Sequence, residues 1–195
     1  EDLSFDTYLN GSSGAIGDDI TGIYEDSEGK IYVVSEVGLT MISGNVPTLL
    51  ARNVDVVAFV QRDRRLLFAC RDQLLCVEMD TREQIKVDFK GLGAGDAVTM
   101  TLTGPDRKVF VGFKDNAVAS LDERTLEPHL LRNDMGRVRY LYPDPEGLLW
   151  IATERTGIWS YNARKDVFRH YAHSSNVMSY YTDTLARVAE HEGRL

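Results

Sequence analysis

The stretch Gly91-Leu92-Gly93-Ala94-Gly95-Asp96 is the part of this 195-residue chain that most invites a chemical reading, because closely spaced glycines let backbone amides cradle a phosphate. A phosphate loop must leave a strand and open a helix, whereas residues 97–102 read as a strand, so the run is expected to be a connecting loop. Asp26-Ser27-Glu28-Gly29 and Asp144-Pro145-Glu146-Gly147 gather carboxylates as a calcium loop does. Each offers too few oxygens at the spacing calcium needs, and their recurrence marks them as tight turns. His129, His170, His173 and His191 show no metal-ligand spacing, and Cys70 and Cys76 lack the Cys or His neighbours of a zinc site. Gly11-Ser12-Ser13-Gly14 does not fit the Gly-x-Ser-x-Gly elbow, and no Ser, His and Asp set groups. The expectation is a segment with no catalytic residue, metal or cofactor, and not an enzyme.

The elements that would position any site come from a repeat. An acidic turn with Gly, an aliphatic-aromatic-aliphatic strand, a short polar turn and another apolar strand recur four times. The best copies are Glu25-Asp26-Ser27-Glu28-Gly29-Lys30-Ile31-Tyr32-Val33 and Pro143-Asp144-Pro145-Glu146-Gly147-Leu148-Leu149-Trp150-Ile151, with weaker ones ending in Leu67-Phe68-Ala69 and Val109-Phe110-Val111. Taken as anchors, Tyr32, Phe68, Phe110 and Trp150 stand 36, 42 and 40 residues apart, the length of a unit that must stack on its neighbours to bury a core. In the last unit, strands are predicted at 138–141, 149–153, 157–161 and 167–171. The pattern predicts an all-β propeller segment: one domain over 1–195, about four consecutive four-stranded antiparallel blades, and partial blades at 1–10 and 174–195. The ends support this register, since Phe5-Asp6-Thr7-Tyr8 matches Phe168-Arg169-His170-Tyr171 and Gly29 lies 164 residues, four periods of 41, before Gly193. Open strand edges predict pairing with further blades of the same protein and self-association, a homodimer being one form.

Equivalent places in every unit make the four anchoring aromatics core rather than a sugar-stacking set. The turns between second and third strands break the repeat and are the better ligand candidates: Glu36, Arg71, Asp72, Lys114, Asp115, Asn116, Glu154 and Arg155. They are expected on one face with the inter-blade loops, where polar groups could meet sugar hydroxyls or a partner's charges. Net charge is −8, from 22 Lys plus Arg against 30 Asp plus Glu, with no basic stripe, which argues against nucleic acid and anionic membranes as partners. No apolar run approaches the roughly 20 residues of a membrane helix. Cys70 and Cys76 read as buried thiols on neighbouring strands rather than as a disulfide.

Residues 144–153, followed by Gly157-Ile158-Trp159-Ser160-Tyr161-Asn162 and Phe168-Arg169-His170-Tyr171, resemble the two-component regulator propeller repeat: an acidic turn with Gly, Leu-Trp-Ile-Gly-Thr, Gly-Leu, an aromatic-Asp pair, then Phe and Tyr. Residues 26–33 with Gly38-Leu39 look like a second copy. Arg62-Asp63-Arg64-Arg65 departs by lacking the turn Gly, and Gly112-Phe113-Lys114-Asp115-Asn116 by lacking the Gly-Leu step. The resemblance implies a periplasmic sensor segment of a hybrid two-component histidine kinase of Bacteroides type, sensing oligosaccharides. The alternatives are a protein-interaction scaffold without a small ligand and, third, a propeller lyase or hydrolase, for which the sequence supplies no acid-base pair.

Overall fold

A computed structural model describes residues 16–44, 46–103 and 107–171, so the expected partial blades at 1–10 and 174–195, with His173 and His191, lie outside the described residues. Sixteen strands among the described residues form four antiparallel sheets of four, each in simple chain order. Blade one holds β1 (Ile20–Glu25), β2 (Ile31–Ser35), β3 (Gly38–Ser43) and β4 (Val46–Arg52). Blade two holds β5 (Val56–Arg62), β6 (Arg65–Cys70), β7 (Gln73–Glu78) and β8 (Gln84–Asp88). Blade three holds β9 (Ala97–Thr103), β10 (Lys108–Phe113), β11 (Val118–Leu121) and β12 (Pro128–Arg132). Blade four holds β13 (Val138–Pro143), β14 (Leu148–Thr153), β15 (Ile158–Asn162) and β16 (Val167–Tyr171), within two residues of the sequence expectation at every end. The chain divides into two compact units, Glu1–Val56 with blade one and Val57–Leu195 with the other three.

The acidic turns have a covalently simple reason to recur. In blade one, Asp26 Oδ1 accepts the backbone N–H of Glu28 at 2.8 Å and of Lys30 at 3.0 Å, and its Oδ2 accepts the Tyr32 hydroxyl at 2.8 Å. In blade four, Asp144 Oδ1 accepts the Leu148 N–H at 2.7 Å while Oδ2 accepts Trp150 Nε1 at 2.9 Å. One carboxylate thus closes the turn and satisfies the polar atom of the ring that follows six residues on. Closing the turn and bonding the ring give each of these carboxylates a structural role, which accounts for the recurrence of the turns. Blades two and three carry Gln61 and Gly104 at the corresponding distance before Leu67 and Phe110, side chains with no donor to satisfy.

Register also corrects one anchor. Tyr32, Phe110 and Trp150 face Met41, Ser120 and Ser160 across the second hairpin. Counting from the first residues of β6, β10 and β14, the matching residue of blade two is Leu67, opposite Cys76, and not Phe68. Phe68 is fully buried, but it points to the other face, against Phe59 at 5.0 Å. The physical reason is that both faces of β6 are buried, so the run Leu66-Leu67-Phe68-Ala69 has no polar alternation to reveal its phase.

Within the second unit the core runs between sheets. Leu67, Ala69, Leu74 and Cys76 of blade two pack with Val109, Val111, Ala119 and Leu121 of blade three. Phe110 and Val118 of blade three then meet Leu149, Ile151, Trp159 and Tyr161 of blade four. Gly112 is required at that second junction: a Cβ there would stand 2.6 Å from Val138 Cγ1. Blade one buries Tyr32, Val34, Leu39 and Met41, and Gly38, at φ +136°, lets β3 approach the Ala51 carbonyl more closely than any Cβ permits.

Cys76 shares the face of Leu67, whereas Cys70, two residues beyond Phe68, shares the opposite one, so the two buried thiols point apart and form no disulfide. Burial pushes the Cys76 thiol up to about 11 and, with Asp166 accepting its hydroxyl at 2.9 Å, the Tyr161 phenol up to about 12. Both groups hold their protons more tightly folded than unfolded, so the stability they confer is intact below about pH 9 and is lost as pH rises through the folded values. Denaturant midpoints are expected to be flat from pH 7 to 8.5 and to fall steadily above pH 9. A thiol reagent is expected to label neither cysteine in the folded chain and both after unfolding; prompt labelling of native Cys76 would contradict this burial.

Candidate functional site

Polar atoms of each turn between second and third strands are tied to the inter-blade loops, as anticipated, and in the second unit the ties form a continuous belt. At the end of blade two, Arg71 O accepts the Ala97 N–H at 2.7 Å and Asp72 O accepts the Phe89 N–H at 2.9 Å. The glycine run 91–96 is the connection from β8 to β9, entered through a single 3-10 turn at Lys90–Leu92. Blade three's turn returns to that same connection, Lys114 N donating to Asp96 O at 2.8 Å and Asp115 N to Ala94 O at 3.1 Å. Its Asn116 O accepts the Met135 N–H from the next connection at 3.4 Å, and Glu154 N of blade four donates to Arg137 O at 2.7 Å. Thr156 Oγ1 completes the belt by donating to Met135 O at 2.5 Å.

Side chains on this belt are mostly exposed. Arg71 lies 4.0 Å from Asp96, and Asp72 4.0 Å from Lys90, separations at which an exposed pair adds little stability. Lys114, Asp115, Asn116 and Arg155 all face solvent. Glu154 differs: its carboxylate is only 21% exposed and receives two guanidinium groups, Arg139 Nη2 at 2.9 Å and Arg137 Nη1 at 3.5 Å. These are ion pairs rather than aligned hydrogen bonds, since Oε2 is buried without a donor of good geometry. Arg137 and Arg139 were not among the residues singled out by sequence. Arg139 sits in a β-bulge, where the pairing of β13 with β14 skips from Val138 to Tyr140, and a bulge re-aims its side chain. The matching bulges of β1 and β9 hold Thr21 and Val98, so of these three bulges only that of blade four holds a basic residue. Two arginines thus converge on one carboxylate in a chain of net charge −8.

Glu36 is committed elsewhere. Its carboxylate accepts the backbone N–H of Asp18 at 2.9 Å and of Asp19 at 3.0 Å, which holds its acidity stronger than that of an ordinary glutamate. It lines a recess of about 280 Å³ in blade one together with Asp19, Ser35, Asn53 and Asp55. Glu36 therefore organises the entry to its own blade. His170 is also occupied: its ring stacks on Trp159 at 3.9 Å, and Nε2 lies 2.6 Å from Thr156 O. The opposite face of Trp159 carries Arg132 at 4.6 Å. No group of three or more His, Cys, Asp or Glu among the described residues could hold a metal ion.

The family model for the two component regulator propeller matches residues 133–155. Residues 133–155 thus form a two-component regulator propeller repeat. The matched repeat begins in the connection before β13 and ends in the turn after β14, so it holds Arg137, Arg139, Asp144, Trp150 and Glu154 together. No curated protein matches the chain. Among solved structures, the chain is similar to the extracellular domain of the putative one component system BT4673 from B. thetaiotaomicron, at 19% identity and a TM-score of 0.61 over 83% of this chain and 23% of that one. It is similar to the extracellular domain of the putative hybrid two component system BT3049 from the same organism, at 16% identity and a TM-score of 0.61 over 82% of this chain and 24% of that one. It is also similar to PorZ of the type-IX secretion system of Porphyromonas gingivalis, at 16% identity and a TM-score of 0.54 over 85% of this chain and 22% of that one. The repeat and these likenesses make the fold a β-propeller segment, and the chain spans about a quarter of the length of each of these three structures. No helix among the described residues is long and apolar enough to cross a membrane.

Proposed function

We propose that this chain is a ligand-recognition segment in the periplasmic sensor region of a hybrid two-component histidine kinase, that it binds an oligosaccharide on its loop belt, and that it carries no reaction of its own. The observation that carries the reading is the Arg137–Glu154–Arg139 cluster, aimed by a bulge that exists within the matched propeller repeat. Two guanidinium planes and a carboxylate offer donors and acceptors at fixed angles, the chemistry that selects among sugar hydroxyls. The similar structures described as extracellular domains of one- and two-component systems support an extracytoplasmic place. Oligosaccharide binding would favour one arrangement of blades and so bias the output domain.

A thermal-shift screen of the full extracytoplasmic region against defined oligosaccharides, with monosaccharide and buffer controls, tests this. One glycan class is expected to raise Tm saturably, by mass action on the native state, and Arg139→Ala is expected to weaken that ligand about tenfold or more. No shift with any glycan favours the second reading, a protein-interaction scaffold. That reading draws on the exposed apolar side chains of outer strands, Ile85 in β8, Leu130 in β12, and Val167 and Tyr171 in β16.

A further inference from the structure

The charge balance of the blade-four cluster narrows what can sit on it. Glu154 is its enclosed member, 21% exposed, whereas the Arg137 and Arg139 side chains are 42% and 40% exposed. Both guanidinium groups approach the same buried oxygen, Oε2, and neither arginine has a second ion pair or side-chain hydrogen bond among the described residues. Asp134, the acid in the connection that leads to Arg137, has both oxygens on Arg132, at 2.5 and 2.9 Å. Two cations therefore share one carboxylate, one positive charge is left over, and most N–H groups of the two exposed forks remain open. The turn beside them is held from several directions. Thr153 Oγ1 donates to Gly157 O at 2.6 Å, Thr156 O lies 2.6 Å from His170 Nε2, and Glu154 N donates to Arg137 O at 2.7 Å. A cluster fixed in this way loses little freedom when a ligand arrives.

Resting on the oligosaccharide reading, we infer that the sugar recognised here is acidic, and that its anionic group, a carboxylate or a sulfate ester, meets the open edges of Arg137 and Arg139. A guanidinium fork donates parallel N–H bonds to two oxygens of such a group, and these are roughly twice as strong as bonds to a neutral hydroxyl. A neutral sugar would leave the surplus charge of the cluster unanswered; an acidic one balances it. The chain as a whole, at net charge −8, repels an anion from a distance, so selection falls to contact at these two forks rather than to steering.

Isothermal titration of the full extracytoplasmic region tests this with two matched pairs: tetragalacturonate and its methyl ester, and a sulfated galactan tetrasaccharide and its desulfated form. One acid is expected to bind about tenfold or more tighter than its neutral form, and the pair that shows the difference assigns a carboxylate or a sulfate ester. In a double variant, Arg137→Gln with Arg139→Gln, that preference is expected to shrink to about threefold or less. General damage to the fold does not produce this result, because it weakens the acid and its neutral form alike. Binding confined to neutral glycans, equal affinity within each pair, or a preference untouched by the double variant overturns the inference and leaves the oligosaccharide reading standing. No binding of any glycan overturns both.

Discussion

Truncating Phe110 to alanine is expected to destabilise the chain by about 3–5 kcal/mol, the range for removing a large aromatic from a closed core. Its ring is fully buried and meets Tyr161 edge-on, with centroids 5.9 Å apart, so the loss falls on the seam between blades three and four. Few neighbours there can relax into the space, because Gly112 already brings Val138 against β10. Chemical denaturation read by tryptophan fluorescence is the measurement, Trp159 lying in the same core. Val167→Ala, at a position 45% exposed, serves as the control and is expected to stay within about 0.5 kcal/mol of the parent. Equal effects from the two changes would mean that this seam does not hold the second unit together.

Asp26→Ala is expected to follow, at about 2–4 kcal/mol, because three donors converge on one carboxylate that is itself 4% exposed. Tyr32→Phe removes one of the three and leaves the ring in place, so about 1.5 kcal/mol is expected for the lost bond to a charged acceptor. In a double-mutant cycle, Asp26→Ala should be milder by about 1 kcal/mol or more in the Tyr32→Phe background, the signature of a direct pair. Additive effects would instead assign Asp26 to turn closure alone.

Much of this architecture is legible in the sequence where polarity alternates with structure. In blade four, Asp, Gly and Asn punctuate strands whose ends are recovered to within two residues. Blade two is harder, because Leu66, Leu67, Phe68 and Ala69 are all buried and nothing in their chemistry tells one face from the other. The belt is legible as a set of turns, since those residues break the repeat. What each side chain does there is not, because it depends on partners far away in the chain. Glu36 is claimed by amides 17 and 18 residues upstream, and Glu154 by Arg139 on the neighbouring strand and Arg137 just before it. Arg139 itself is hidden by its bulge: a single extra residue shifts the phase of β13, and no residue type announces it.

The carboxylate-to-ring pairs have a consequence for how such a chain diversifies. Asp26 and Tyr32, like Asp144 and Trp150, lie within seven consecutive residues, so duplication of a whole blade copies both partners at once. A recombination breakpoint inside that window separates them and leaves an acid or a donor, buried in blade one and half-buried in blade four, without its partner. Drift at one partner alone meets the same penalty, and the tolerated route is to lose both. Gln61 with Leu67 and Gly104 with Phe110 are two blades in which neither partner is present.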